Sequence, residues 1–272
     1  MALAPAAADP KLAANRHRLV AVTAGPGLVV AVVVLAVLGP LVSWVVAAAV
    51  AVVVGAALWS SLWFGSTAAL VRALGAELAD EDRDPRPFTL TEGLCAGMGL
   101  TQPDIRIVED PWPSALALGL RRGDANLVVT RGLLELLDPV QLEGVLAHEL
   151  VHLKRADTGP VTAAAALLLP VAALVPAGAD LLHRLAGAGR EFATDALAVG
   201  ITRYPPGLSQ ALGAMVDAGA GIGPAGSPLV AGRVGRLTRW LWTAVLGDPP
   251  TGEALVGELD APATRIAALD EW

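Results

Sequence analysis

The run His148-Glu149-Leu150-Val151-His152 holds the residues most capable of chemistry in this chain. Residues i and i+4 leave a helix on one face, so both imidazoles reach a single metal ion. Zinc bound by neutral imidazoles keeps a coordination position for water and lowers the pKa of that water to about 7. Glu149, beside the first ligand, is placed to take the water's proton and pass it to a leaving amine. Two histidines leave such a site one protein ligand short. The helix expected around residues 190–197 offers Glu191 as the third. Asp195 follows one turn on, on the same face, where it can accept the other ring N–H of a metal-bound histidine. One Zn2+ per chain is therefore expected. A purely structural zinc site, as in a non-catalytic membrane sensor or scaffold, needs the two histidines but no base between them, so Glu149 favours an enzyme.

The motif needs a helix, and the sequence supplies a strong start for one. Asp138 is an N-cap, Pro139 suits the first helical position, and Gln141 stands at the capping-box position. That helix is expected to reach about Arg155. Strand-like runs at 104–108, 114–120 and 126–130 precede it, separated by Gly, Pro and Asp. Short helices are expected at 89–98 and 133–137, and an amphipathic helix at 67–80, followed by a charged linker over 80–87. The fold class is α+β, mostly helical, with a small β-sheet.

Hydrophobic residues make up 54% of the chain and charged residues 17%, too apolar for an ordinary soluble domain. The excess is concentrated. From Leu19 to Val71 there is no Asp, Glu, Lys or Arg. Residues 19–38 and 41–64 are each long enough to cross a hydrocarbon core of about 30 Å at about 1.5 Å per residue. Gly39-Pro40 makes the turn between them, and Trp44, Trp59 and Trp63 lie toward segment ends. The chain divides into a basic tail (1–18), a transmembrane helical hairpin (19–64) and a catalytic domain (65–272). Lys11, Arg16 and Arg18 before the hairpin and Arg72 after it place both ends in the cytosol, which makes this a multi-pass plasma-membrane protein with a cytosolic domain. A cleaved signal peptide fits poorly, because a second apolar segment follows the first at once. A small transporter would need ionisable groups inside the spans, and there are none.

Net charge −7 and pI near 5.1 argue against nucleic acid as a partner. The partners implied are a polypeptide substrate and the lipid bilayer; no residue pattern specifies an oligomeric state. The single cysteine, Cys95, reads as packing. Residues 158–179 form another uncharged stretch, between His152 and Glu191. A single crossing there would put the third ligand on the wrong side of the membrane, so the segment must be buried in the domain, lie along the bilayer, or dip in and return. Pro170 and Pro176 would kink it.

The resemblance extends beyond five residues. Val129-Thr130-Arg131-Gly132-Leu133-Leu134-Glu135, then Leu142-Glu143-Gly144-Val145-Leu146-Ala147-His148-Glu149-Leu150, with Lys154 and Asp157 after it, resembles the M48 family of integral-membrane metallopeptidases, of the HtpX-like and CAAX prenyl protease-like kind. Arg190-Glu191-Phe192-Ala193-Thr194-Asp195 is similar to that family's third-ligand segment, and the N-terminal hairpin is similar to the HtpX-like architecture. The resemblance implies a zincin-type metallopeptidase domain that hydrolyses membrane or misfolded polypeptides. M56 membrane peptidases share similar sequence around the zinc helix and imply the same chemistry, usually with more spans.

By that resemblance Ser114-Ala115-Leu116-Ala117 corresponds to an edge strand against which a substrate backbone pairs, with Ser114 where the family has Asn. The family's C-terminal His-Pro element corresponds to Asp260-Ala261-Pro262-Ala263-Thr264-Arg265-Ile266, which has no histidine. Tyr204 and Arg265 are candidates for stabilising a tetrahedral oxyanion. His17 and His183 read as solvated or interfacial. Arg233, Arg236 and Arg239, beside Trp240 and Trp242, suit either an interfacial helix or a solvated face.

Overall fold

The computed structural model describes residues 10–171, 190–222, 224–243 and 261–272. Helices α1 (Pro10–Leu38) and α2 (Trp44–Ala73) form an antiparallel hairpin, and each is long and apolar enough to cross a bilayer. Val29, Val32 and Val33 on α1 and Val45, Val52 and Val53 on α2 are exposed. That is the pattern of a helix pair solvated by lipid. The two backbones meet at Gly27 and Gly55, where a Cβ on Gly27 would lie 2.6 Å from the Gly55 carbonyl oxygen. Small residues permit that approach. The protein is a membrane protein.

The hairpin does not end where the uncharged segment does. Instead of a separate helix at 67–80, α2 runs unbroken to Ala73, because no proline intervenes before Gly75, which adopts a left-handed conformation at φ 66°. Leu70 and Val71 on its last turns are buried in the domain core. The apolar segment and the domain therefore share one helix.

After β1 (Glu77–Leu78) come α3 (Pro85–Met98), β2 (Asp104–Val108), β3 (Ala115–Leu118) and β4 (Asn126–Thr130). The sheet order is β1-β2-β4-β3. β2 and β4 pair in parallel, with Ile107 opposite Val129, and β3 lies antiparallel on β4, with Ala115 opposite Val129. β3 is shorter than the 114–120 run expected, because Gly119 turns the chain at φ 147°. Alternation along the strands gives the sheet two buried faces. Ile107, Ala115, Leu127 and Val129 join the core shared with α3 and α5 (Pro139–Arg155), with α4 (Arg131–Leu136) between β4 and α5. Val108, Leu116, Leu118 and Val128 join the core shared with α2 and α6 (Thr158–Leu168). This second cover settles the environment of residues 158–165: they are buried between the hairpin base and the sheet. Pro170 lies in the short turn that follows, and Pro176 falls outside the described residues.

Helices α7 (Arg190–Thr202) and α8 (Pro205–Ile222) pack on α5, followed by the short α9 (Pro228–Ala231) and α10 (Arg233–Thr238), and α11 (Pro262–Asp270) closes the described chain. Trp242 is not interfacial; it is buried in the core behind the sheet, with Leu116 and Leu118.

The junction of β4 and α4 is tightly built. Arg131 pairs with Asp84 at 2.7 Å and Glu109 at 2.8 Å. A Cβ on Gly132 would lie 2.0 Å from the Pro111 carbonyl oxygen, a backbone atom with no freedom to move away. Gly132→Ala should therefore lower stability by about 3 kcal/mol or more, the upper end of overpacking effects. A lowered thermal unfolding midpoint in detergent checks this; an unchanged midpoint would show that the loop yields.

Candidate metal centre and edge strand

The site rests on α5. Asp138 accepts from Val140 N and Gln141 N, both at 2.9 Å, and Gln141 Oε1 accepts from Asp138 N at 3.2 Å. The second half of the helix is buried between the sheet and α7, and takes His148, Glu149 and His152 out of solvent. Gly144 permits the close crossing of α8, since a Cβ there would lie 3.0 Å from Leu208 N. α7 brings Glu191 to the open side of the pair, where its side chain keeps 14% exposure.

Three donors converge. His148 Nε2 lies 2.9 Å from Glu191 Oε2 and 3.2 Å from His152 Nε2, and His152 Nε2 lies 3.5 Å from Glu191 Oε1. The other ring nitrogens face carboxylates. His152 Nδ1 is 3.0 Å from Asp157 Oδ1, and His148 Nδ1 is 2.8 Å from Asp195 Oδ1, somewhat off the N–H axis. Each Nδ1 is thus the site of the N–H, and both Nε2 lone pairs turn toward one another and toward the Glu191 carboxylate. Such a cluster of acceptors is repulsive unless a cation stands between them. A tetrahedral ion with bonds of about 2.0–2.1 Å separates its donors by about 3.4 Å, close to the spacings observed. The donor set fits zinc, and the ligand atoms all lie within 4.8 Å of one another.

The electrostatics agree. Burial pushes His148 down, but Asp195 and Glu191 outweigh it and raise the imidazole to about 9. Burial and Arg190 push His152 down, and Asp157 and Glu191 raise it past its ordinary value. Burial acts to raise Glu191, yet His152 and Arg190 hold it well below the usual carboxylate range. The pocket carries an excess of negative charge that a proton or a metal ion must balance.

Two orienting residues escaped the sequence reading. Asp157 reaches His152 because Ala156 adopts a left-handed conformation (φ 52°) and folds the chain back over the end of α5. An alanine in that state costs about 1–3 kcal/mol. Arg190 binds both Asp157, at 3.3 Å, and Glu191, at 3.0 Å. Both were visible as neighbours of the motif, but no spacing rule joins them to it.

The two oxyanion candidates lie elsewhere. Tyr204 is half exposed in the turn between α7 and α8, against Gly207, which itself abuts Val140 at the start of α5. Val140 precedes His148 by eight residues, about 12 Å along a helix. Arg265 is buried and engaged: its Nε and Nη2 donate to Asp195 at 2.6 and 2.8 Å, and its Nη1 donates to the Thr243 carbonyl at 2.9 Å. In the segment that lacks the expected histidine, the arginine holds the aspartate that faces His148. Burial acts to raise Asp195, but Arg265 outweighs it and keeps the group ionised. Asp195→Asn should weaken zinc binding about 10–100-fold, as the loss of a ligand's orienting partner does. Competition with a chromophoric chelator measures it, and an unchanged affinity would make Asp195 purely structural.

The edge strand is where the structure departs most from the sequence reading. β3 is an edge of the sheet, and two of its outward backbone groups are already bonded within the chain. In its antiparallel pairing the backbone groups of Ser114 and Leu116 face β4, as the Thr130 N to Ser114 O bond of 3.0 Å shows. Only Ala115 and Ala117 direct theirs outward. There the Ala115 carbonyl accepts from Thr243 N at 2.9 Å. Ala117 N donates to Glu149 Oε2 at 2.7 Å, and Thr243 Oγ1 donates to Glu149 Oε1. Gly119 N and O bond Thr162 and Thr158. Thr243, a residue with no sequence signal, thus contacts the edge, Glu149 and Arg265. Its approach is anchored by buried Asp110, which accepts from Ser227 Oγ and Leu229 N, both at 2.7 Å. His17 is exposed on α1, and His183 falls outside the described residues.

Comparison with known proteins gives a consistent picture. Residues 89–216 match the family described as Peptidase family M48, a span that holds His148, Glu149, His152, Glu191 and Asp195 but neither Thr243 nor Arg265. The chain is 32% identical to a protein named Protease HtpX homolog from Dictyoglomus thermophilum, with 54% of this chain and 59% of that protein aligned. Proteins of the same name from Dictyoglomus turgidum and Tropheryma whipplei are 34% and 32% identical, with 48% and 55% of this chain and 54% and 62% of those proteins aligned. The chain thus spans somewhat over half the length of these curated relatives. No solved structure matches it.

Proposed function

We propose that the chain is an M48-type, membrane-anchored zinc endopeptidase cleaving membrane or misfolded polypeptides on the cytosolic side. The observation that carries this reading is the convergence of His148, His152 and Glu191 in one buried cluster, with Glu149 one residue away. The names of the relatives support it. The cytosolic placement rests on Arg16, Arg18 and Arg72 flanking the spans.

Zinc held by His148, His152 and Glu191 would supply Lewis-acid activation of a water molecule. The remaining steps belong to the protein. Asp195 and Asp157 fix the two imidazoles, and Arg190 steadies Glu191. Glu149 takes a proton from the attacking water and delivers it to the departing amine nitrogen. An extended substrate pairs with the outward groups of Ala115 and Ala117. For that, Thr243 must leave the Ala115 carbonyl. A substrate carbonyl that accepts from Ala117 N takes over the bond now made to Glu149, and so frees the base as the substrate seats.

The test is hydrolysis of unfolded casein by the detergent-purified full chain loaded with one zinc. Cleavage that stops on chelation and returns with zinc supports the proposal. A chain that holds zinc yet cleaves no unfolded or membrane polypeptide would favour a sensing role, and a chain that binds no zinc would remove the basis of the reading.

A further inference from the structure

A cavity of about 570 Å³ lies away from the metal cluster, between the first turns of α1, the last turns of α2 and the domain. Its volume is that of a small-molecule site, roughly 300–1,000 Å³. Leu12, Leu19, Trp63 and Leu153 give it an apolar lining, and Arg16, Arg121 and Lys154 stand in it as cations. Among the described residues no Asp or Glu lines it. In a chain of net charge −7, that is a local inversion of sign.

The cations are available. Arg16 is exposed and has no carboxylate partner among the described residues. The Lys154 ammonium donates to the Met98 carbonyl at 3.2 Å, which leaves its charge uncompensated. Arg121 has one weak ion pair, 3.8 Å from Asp124, and lies 5.2 Å above the Phe64 ring.

The level of the cavity in the membrane completes the argument. Leu19 directly follows Arg18, the last charge before the uncharged run 19–71, so the cavity opens at the charged end of the apolar hairpin. Trp63, stacked on Trp59 at 6.0 Å between centroids, marks the headgroup level that such rings favour. An apolar floor facing the acyl region beneath a cationic rim at the headgroups is complementary to an amphiphile with a negative head. We propose that this cavity binds one anionic phospholipid drawn from the bilayer, its phosphate between Arg16 and Lys154 and an acyl chain against Leu19 and Trp63. The bound lipid would tie α1 to Leu120, just beyond β3, and to Leu153, one residue past His152, so the edge strand and the zinc helix are braced by the membrane itself.

The full chain, purified in a neutral maltoside detergent, is mixed with phosphatidylglycerol or with phosphatidylcholine of the same acyl chains, and retained lipid is counted by native mass spectrometry. One phosphatidylglycerol per chain is expected, at least tenfold in preference to phosphatidylcholine, with a raised thermal midpoint. Arg16→Gln with Lys154→Gln should reduce that retention at least tenfold while zinc content and helicity stay unchanged. Arg16→Gln alone, at an exposed position without an ion pair, reads the same effect if the double variant misfolds. Glycerol phosphate at equal concentration should give no protection. Equal retention of the two lipids, retention indifferent to both variants, or full protection by glycerol phosphate would each overturn the proposal, the last by showing an anion site with no use for the acyl chain.

Discussion

Glu149→Gln will lower the rate of peptide hydrolysis by on the order of 10³-fold, within the range of about 10²–10⁴ that a positioned general base contributes. The substitution is nearly isosteric, which matters at a side chain only 1% exposed. A glutamine oxygen still accepts from Ala117 N, and its amide still meets Thr243 Oγ1, so the packing around position 149 has no reason to change. Only the capacity to receive a proton is lost. The loss should fall on kcat with little change in KM, because the edge strand and the metal ligands are untouched. Zinc content of the same preparation separates this outcome from simple metal loss. If the variant keeps more than about a tenth of the wild-type rate with zinc bound, the role assigned to Glu149 is wrong.

Glu191→Ala should abolish hydrolysis by a different route, through loss of the metal. Two imidazole nitrogens 3.2 Å apart remain, without the carboxylate that completes the donor set. The purified variant is expected to carry much less than one zinc per chain. Thermal unfolding makes the test sharper. A ligand present at about a thousandfold over its dissociation constant stabilises the folded state by about 4 kcal/mol, so chelation should lower the wild-type midpoint by several degrees. The midpoint of Glu191→Ala should not respond to chelator or added zinc. A variant that retains full zinc would show that a different group supplies the third ligand.

Local chemistry was fully legible in the sequence where it depends on neighbours along one helix or strand. The capping box at Asp138 and Gln141, the pairing of His148 with His152 and the one-turn spacing of Glu191 and Asp195 are periodicities of a single element, and tertiary packing has only to preserve them. The two long apolar helices were legible for a related reason: a bilayer calls for apolar composition on every face of a helix, and composition is what a sequence displays directly. Cys95 likewise sits where its apolar neighbours suggested, in the core with Leu94 and Met98.

What only the tertiary structure decided involves groups far apart in sequence that meet through backbone or through buried charge. Position 64 looked like a boundary, yet α2 continues into the domain because Leu70 and Val71 find a core to bury in. The edge strand looked free, yet Thr243, more than a hundred residues on, bonds the Ala115 carbonyl, a contact made largely by backbone atoms that every residue type carries. Arg265 looked available to substrate, yet it is spent on Asp195, a choice between partners that only distance makes. Composition and periodicity report what a residue tends to do beside its neighbours. Which carboxylate a buried arginine meets, and which strand edge a threonine covers, depend on how the chain returns upon itself, and no local pattern encodes that return.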